Sequence, residues 1–480
     1  MNKSTLIGRE KEIALLNKYY LSPKSEMVAI YGRRRVGKTF LMKETMGELF
    51  DFDYIGMHKT PAKVQRNQFQ KKLNAITGKE AKTPADWFES FDNLKTYLMS
   101  LKKEKVVVFL DELPWMDAVN SNFLSAFSYF WNSWDSNEKL LKLYVCGSAT
   151  TWMVDTLIGD PGGLYGRVSR PIYLAPFSLA ETEQFLNRVK KLKYNKMQVL
   201  DTYMVFGGIP YYLDMLDGDL PLSVNIDRLF FDDDAPMRME YDFLFRSLFK
   251  ISENYQKVVE LLSKKLRGLT RDEISEGCKL SGGDLTKILK NLDSCDFIRV
   301  YSNPSKKEKG KVYQLTDMFT LFHLRFVKGH KGRDKHYWTN MIESGVKNTW
   351  SGYAFEQVCL HHIDQIKSKL GISGIQSDVY AWNEKPFTDA DGNHWNGGQI
   401  DLIIDRNDNV MNLCEMKYSK DEYSISGAYS EKIRDRESSF RASVKTKKAL
   451  RCTFVTTHGV KANDYSDIVD NHILVEDLFG

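Results

Sequence analysis

Residues 27–44 read MVAIYGRRRVGKTFLMKE, and no other stretch constrains the fold of this chain as strongly. An apolar run, Met27–Tyr31, passes into Gly32-Arg33-Arg34-Arg35-Val36-Gly37-Lys38-Thr39 and then into a helical pattern. The spacing G-x-x-x-x-G-K-[ST] between a strand and a helix is that of a phosphate-binding loop. Gly32 and Gly37 let backbone N–H groups wrap phosphates, and the helix N-terminus adds its dipole. On this reading Lys38 reaches the β- and γ-phosphates of ATP, and Thr39 holds Mg2+.

A second stretch completes the site. KVVVFLDELPWMD, 105–117, contains the near-continuous apolar run Val106–Leu110, as a strand buried on both faces requires. Asp111 at its end suits a Mg2+ shell, and Glu112 suits the base that orients an attacking water. LKLYVCGSATTWM, 141–153, is another apolar strand that ends at Gly147-Ser148. Ser148 is either a sensor of the γ-phosphate or the N-cap of the next helix. In GGLYGRVSRPIYLAPFS, 162–178, Arg167 is either an arginine finger, acting in cis or in trans, or a surface arginine.

IGREKE (7–12), the phosphate loop, LDELPW (110–115), CGSATTWM and LYGRVSRPIYLAPFS together resemble the archaeal-type ATPases of the AAA+/STAND branch. VFGGIPYYL, 205–213, resembles the Gly-Gly-x-Pro element that this family carries in its helical lid. The resemblance spans about residues 1–250. It implies a P-loop parallel sheet over 1–176 and a helical lid over 177–250, with Gly208 and Pro210 near the nucleotide.

At 480 residues the chain exceeds one ordinary core, so two to four domains are expected. A net charge of +5 is compatible with a nucleic-acid partner and does not argue for one. The six cysteines form no C-x-x-C pair and read as reduced core thiols, neither a disulfide framework nor a zinc site. MNKSTLIGREKEIALL carries charges where a signal peptide needs an apolar run. No stretch approaches the ~20 apolar residues that span a bilayer. The expectation is a cytoplasmic protein with no membrane contact.

From Tyr255 the pattern becomes short helices: YQKVVELLSKKL, TRDEISEGC with a Thr270/Glu273 capping box, and SGGDLTKILKNLDSCDFI capped by Ser281. Two strand-like pieces, IRVYS and KVYQLTD, follow, joined by NPSKKEKGK. Helix–helix–helix–hairpin over 251–318 is the winged form of the helix-turn-helix. DNA contact would use Lys287 and Lys290 on the third helix and Lys306, Lys307, Lys309 and Lys311 on the hairpin. That helix is poor in Arg, Asn and Gln, so a protein-packing winged helix is the alternative. Residues 319–340, basic and punctuated by glycine, read as a linker.

The remaining segment, 341–480, poses the sharpest question. WSGYAFEQVCLHHIDQIKSKLG, 350–371, is an amphipathic helix carrying Glu356. Ile400, Leu402 and Ile404 line one face of a strand and Asp401 the other. NLCEMKYS, 412–419, puts Glu415 and Lys417 side by side on one face of the returning strand. Three carboxylates in that order can hold one or two hard cations through oxygen, with Lys417 orienting the water or neutralising developing charge. The order Glu356, Asp401, Glu415-x-Lys417 resembles the PD-(D/E)xK nuclease superfamily, and more closely the C-terminal domain often fused to these ATPases. The resemblance implies a restriction-endonuclease-like α/β domain acting on DNA, with Glu356, Asp401 and Glu415 as Mg2+ ligands and Lys417 as a catalytic residue. Gln399 is placed at the cleft, and Lys432, Arg434, Arg436 and Arg441 form a basic helix facing DNA phosphates. Ile400 stands where the family's proline usually does.

The sequence thus reads as an α/β protein in three parts, an ATPase with a metal-dependent nuclease. Two other readings stay open. One is a nucleotide-switched regulator whose C-terminal fold only binds DNA or a protein partner; the other is a sensor of protein partners alone. Homo-oligomerisation is compatible with each.

Overall fold

The computed structural model describes residues 6–159, 162–249, 251–302, 311–331 and 334–480. The expected hairpin lysines Lys306, Lys307 and Lys309 lie outside these described residues. The chain divides into two compact units, Met1–Pro176 with Ser247–Lys250 and Phe177–Arg246 with Ile251–Gly480.

The first unit is built on a five-stranded sheet. Its strands are β1 (Glu26–Tyr31), β2 (Phe52–Ile55), β3 (Lys105–Asp111), β4 (Leu140–Gly147) and β5 (Arg170–Tyr173). They lie in the order β2-β3-β4-β1-β5 with every pair parallel. Val106–Leu110 of β3 is buried throughout, because helices cover both faces of a parallel sheet. One such helix, Trp87–Ser100, starts where Asp86 accepts the Glu89 N–H at 2.9 Å, satisfying an orphan donor of the first turn. Trp87, Phe91, Leu94 and Leu98 form its buried stripe. They pack with Phe69, Phe123 and Phe127 into one aromatic core. The helix stops where the Lys139 ammonium donates to the carbonyls of Leu98, Met99 and Leu101 at 2.6–3.0 Å. A cation at the negative end of the helix meets both the dipole and unpaired acceptors.

In the second unit, residues 177–246 are helical. Gly207 takes φ +61° after the Lys196–Phe206 helix, and Pro210 opens the Pro210–Asp214 helix. Between them, Gly208 lies against the Phe177 backbone: a Cβ there would sit 1.8 Å from the Phe177 carbonyl oxygen, whose N–H donates to the Gly208 carbonyl at 2.6 Å. Gly208→Ala forces that backbone pair apart. It is expected to destabilise this unit by about 3 kcal/mol or more, read as a lowered urea midpoint.

The Leu179–Gln184 helix begins with a Ser178/Glu181 capping box, and the Leu179 N–H donates to His362 Nε2 at 3.0 Å. His362 Nδ1 lies 2.8 Å from the Val358 carbonyl, so the ring is neutral and carries its proton on Nδ1. Burial holds its pKa down to about 4. A depressed histidine contributes stability above the unfolded value near 6.5 and loses it as pH falls toward 4. At pH 5 the loss is about 2 kcal/mol. Urea melts at pH 7.5 and pH 5 should show it. His362→Gln, which keeps the acceptor, should shrink the difference by about that amount, leaving the part due to buried His323, whose pKa is also held down to about 4.

Residues 251–318 contain the helices Ser252–Ser263, Arg271–Cys278 and Gly282–Ser294, with β6 (Leu269–Thr270), β7 (Ile298–Ser302) and β8 (Lys311–Leu315). The strands form an antiparallel sheet in the order β6-β8-β7. Thr270 and Glu273 form the capping box. Ser281 occupies the N-cap of the third helix but its side chain makes no capping bond, contrary to expectation.

The stretch 319–340 is not a plain linker. Residues Met318–Val327 are helical, and Phe322 and Phe326 meet Trp338 and Trp350 with ring centroids 5.0–5.8 Å apart. Aromatic burial outweighs the basic residues between them.

The last sheet comprises β9 (Ser377–Glu384), β12 (Gly398–Arg406), β13 (Val410–Lys417), β14 (Ala449–Thr456) and β15 (Asn471–Leu474), with the small pair β10 (Phe387–Thr388) and β11 (His394–Trp395) beside it. β9, β12 and β13 pair antiparallel; β14 and β15 join in parallel. The β13–β14 connection carries the Gly427–Val444 helix, as a parallel crossover needs. Strict alternation from Ile400 to Ile404 fails. The β12–β9 register shifts between Ile400 and Ile403, and both these residues enter the cluster of Trp382, Leu413 and Phe440. Such a bulge re-aims the side chains around it, here at Asp401. All six cysteines are free. Among the described residues no helix is long and apolar enough to cross a membrane.

Candidate functional site

At the end of β1 the chain turns through Gly32 (φ +144°), where a Cβ would lie 2.4 Å from the Leu174 carbonyl oxygen. Only glycine fits there. Gly37 (φ +92°) is the N-cap of the Lys38–Met46 helix, and a Cβ on it would meet nothing within 4 Å. Its left-handed φ, and not crowding, is what favours glycine at this position. Lys38 Nζ donates to the Gly32 and Arg33 carbonyls at 3.0 and 2.9 Å, so the ammonium is held over the loop.

β3 delivers the acidic pair to the same place. Asp111 is buried and accepts from Thr39 Oγ1 at 2.6 Å and from the Glu112 N–H at 2.9 Å. Burial raises its pKa, against the Thr39 bond, which lowers it. Glu112 adopts left-handed backbone (φ +46°, ψ +47°), a conformation that costs a non-glycine residue about 1–3 kcal/mol. Its Oε2 accepts from the Ser148 N–H at 3.1 Å and from Ser148 Oγ at 2.8 Å. Ser148 is thus not the N-cap of the following helix, which is Ala149; its hydroxyl fixes Glu112.

Arg167 is exposed, in a turn where its N–H donates to the Leu164 carbonyl. Gly208 and Pro210 belong to the second unit. Sequence reading missed Trp115, whose ring lies 6.0 Å from the Arg34 guanidinium and 5.1 Å from His58. The arginine run in the loop was the only signal for it. A hydroxyl and a carboxylate in contact, an ammonium held over the loop and a helix N-terminus suit a Mg2+-nucleotide: the donors are hard oxygens and the loop supplies groups that seek phosphate.

In the second unit a cavity of about 960 Å³ is lined by Glu356, Asp401, Glu415 and Lys417. Glu356 comes from the Gly345–His361 helix, Asp401 from β12 and the others from β13. The Leu402–Cys414 pairing sets Asp401 and Glu415 opposite each other one step further on. Gln399 lines the cavity too and donates to Asp401 Oδ1. Burial first, then the Asp401 charge, pushes the Glu356 pKa up to about 8. Burial opposes the charge on Lys417, but Glu415 and Tyr429 outweigh it and raise its pKa. Lys417 is therefore an ammonium at neutral pH.

The Glu415 carboxylate is fully engaged. Arg436 pairs with its Oε1, Tyr429 donates to Oε2 at 2.7 Å, and Lys417 Nζ stands 3.4 Å from Oε2. Arg436 lines the cavity, where its guanidinium pairs with Glu415; the expectation from sequence was a helix facing DNA phosphates, with no partner named. Among the described residues no three His, Cys, Asp or Glu side chains are grouped so as to hold a metal ion. The donor types suit a hard cation; the grouping is incomplete at Glu415.

From residues 251–318, Leu266, Arg267 and Gln314 close one side of the cavity. Half-buried Arg299 donates to the Gln314 Oε1 at 2.7 Å.

The sequence pattern of an ATPase domain predominantly from Archaea matches residues 6–216. An uncharacterized protein of Methanocaldococcus jannaschii is 26% identical over 427 residues, which is 86% of this chain and 87% of that protein. Among solved structures, the Walker-type ATPase of Pyrococcus abyssi aligns with 18% identity and a TM-score of 0.48, covering 67% of this chain and 97% of that one. The ORC2 protein of Aeropyrum pernix, in its ADPNP–ADP complexes, aligns with 14% identity and a TM-score of 0.42 over 66% of this chain and 93% of that one. Loop, acidic strand and sequence pattern agree: residues 6–216 carry an ATPase domain of the predominantly archaeal P-loop type.

Proposed function

We propose that this chain hydrolyses ATP and that its C-terminal domain is a nuclease-like module that cleaves DNA with a divalent cation, its access to DNA governed by nucleotide state. In the first step Lys38 binds the β- and γ-phosphates, while Thr39 and Asp111, already in contact, would hold Mg2+. Glu112, fixed by Ser148, orients the attacking water. Arg167 is a candidate finger from a second copy. Gly208 and Pro210 are candidate lid contacts.

The observation that carries the C-terminal half is the meeting of Glu356, Asp401, Glu415 and Lys417, from one helix and two paired strands, in a single cavity. Glu356, Asp401 and Glu415 would hold the cation. A bound cation polarises a phosphodiester and activates water. Lys417, charged, steadies the developing negative charge. Residues 251–318 act as a winged helix that contributes backbone affinity. Each lysine that stops neutralising a phosphate lowers the salt slope of duplex binding by about 0.9. Changing Lys306, Lys307, Lys309 and Lys311 to Ser should flatten that slope. Unchanged binding across a salt series would leave this segment a protein-packing module.

A second reading, a nucleotide-switched regulator whose C-terminal domain binds DNA or a protein without cutting, draws on Arg436 and Tyr429 occupying Glu415. ATP turnover stimulated by DNA, together with divalent-dependent cutting, separates the first reading from it.

A further inference from the structure

We propose that Arg436 is the exchange residue of the C-terminal cavity: it holds Glu415 while no cation is bound, and passes to a substrate phosphate when a cation takes that carboxylate. The proposal rests on the phosphodiester reading above and names a positioning residue for it.

Three features of Arg436 support an exchange over a fixed ion pair. The first is its seat. Gly398 takes φ +149°, and a Cβ there would lie 3.0 Å from Arg436 Cγ, so the stem of the arginine fills room left by a missing side chain. Arg436 Nη1 donates to the Gln399 carbonyl at 3.1 Å. The guanidinium is therefore tethered by one nitrogen while the other reaches Glu415 Oε1; leaving Glu415 requires only a pivot about that tether.

The second is redundancy. Glu415 keeps the Tyr429 hydroxyl and the Lys417 ammonium on Oε2, so its charge is not left bare when Arg436 turns away. What Arg436 blocks is Oε1. A divalent cation and a guanidinium repel at contact distance, so the two exclude one another there.

The third is destination. Lys432, one helical turn before Arg436, lines the same cavity, and residues four apart share a helix face. A freed guanidinium beside an ammonium is a phosphate-binding pair, because its planar fork matches two phosphate oxygens. Cation entry would thereby create the phosphate site, and the two bindings would reinforce each other.

The test is calorimetric titration of the full chain with Mn2+ alone, and fluorescence anisotropy with a short phosphorothioate duplex with and without Mn2+. Arg436→Met is expected to bind Mn2+ about tenfold more tightly than the parent, because the competitor for Oε1 is gone. In the parent, Mn2+ should strengthen duplex binding about tenfold; in Arg436→Met that gain should fall to about threefold or less, the part supplied by the cation's own contact with phosphate. Should Arg436→Met fail to fold, Arg436→Lys keeps the charge but cannot span Gln399 and Glu415 together. It should bind Mn2+ at least about threefold more tightly. Mn2+ affinity equal to or weaker than the parent's in a folded Arg436 variant overturns the exchange while leaving the cation site standing. A parent chain that binds no Mn2+ overturns both.

Discussion

Glu112→Gln is expected to bind ATP as the parent does and to lose turnover by about 10²–10⁴-fold. The amide keeps the shape of the carboxylate, and its oxygen still accepts from Ser148 N–H and Oγ, the two bonds that fix Glu112. What disappears is the negative charge that orients and deprotonates water. Lys38→Ala fails one step earlier. Its ammonium is held over the loop by the Gly32 and Arg33 carbonyls, and it is the one lysine of the 32–39 loop. Affinity should fall by about 10²-fold or more. Calorimetric titration with ATP separates the two variants, and Lys38→Ala with unchanged affinity would contradict the assignment of the loop.

The second large effect concerns β13. Asp401→Ala and Glu415→Ala each remove an oxygen donor, so both should lose Mn2+ or Mg2+ binding. Lys417→Ala should keep the cation and lose single-turnover DNA cleavage by about 10²–10³-fold. The raised pKa of Lys417 fixes its part: it stays protonated through neutral pH, so it stabilises charge and does not act as a base. If Lys417→Ala instead lost the cation together with the rate, the lysine would be part of the carboxylates' support and not of the chemistry.

Local patterns made much of this legible. The phosphate loop is contiguous and each of its residues has one task, so Gly32, Gly37, Lys38 and Thr39 can be read without knowing the fold. Alternation put Glu415 and Lys417 on one face of a strand, and the structure has their side chains 3.4 Å apart. Pairings between distant segments were not legible. The order β2-β3-β4-β1-β5 depends on crossovers that leave no mark in any one strand. The pairing of Arg436 with Glu415 was not read, because that partner lies on a strand 21 residues away and helix composition does not reveal which turn faces that strand. The bulge between Ile400 and Ile403 defeated alternation for a related reason, since an extra residue is visible only against a partner strand. The supposed linker was a different failure. Phe319, Phe322 and Phe326 have helical spacing, but the lysines, glycines and histidines around them dominated the composition. Ser148 gave two alternatives from its position before a helix, and neither included its bond to Glu112.

The most direct test is incubation of the purified chain with plasmid, linear duplex and single-stranded DNA, each with and without ATP and with Mg2+ or Mn2+. The account predicts cutting of at least one DNA form that requires the divalent ion, is lost in Asp401→Ala, and is accompanied by ATP turnover that rises when DNA is added. A chain that turns over ATP normally but cuts no DNA form with either ion, and whose turnover ignores DNA, would contradict it. Glu415 would then be a structural carboxylate, neutralised by Lys417 and Arg436 and capped by the Tyr429 hydroxyl.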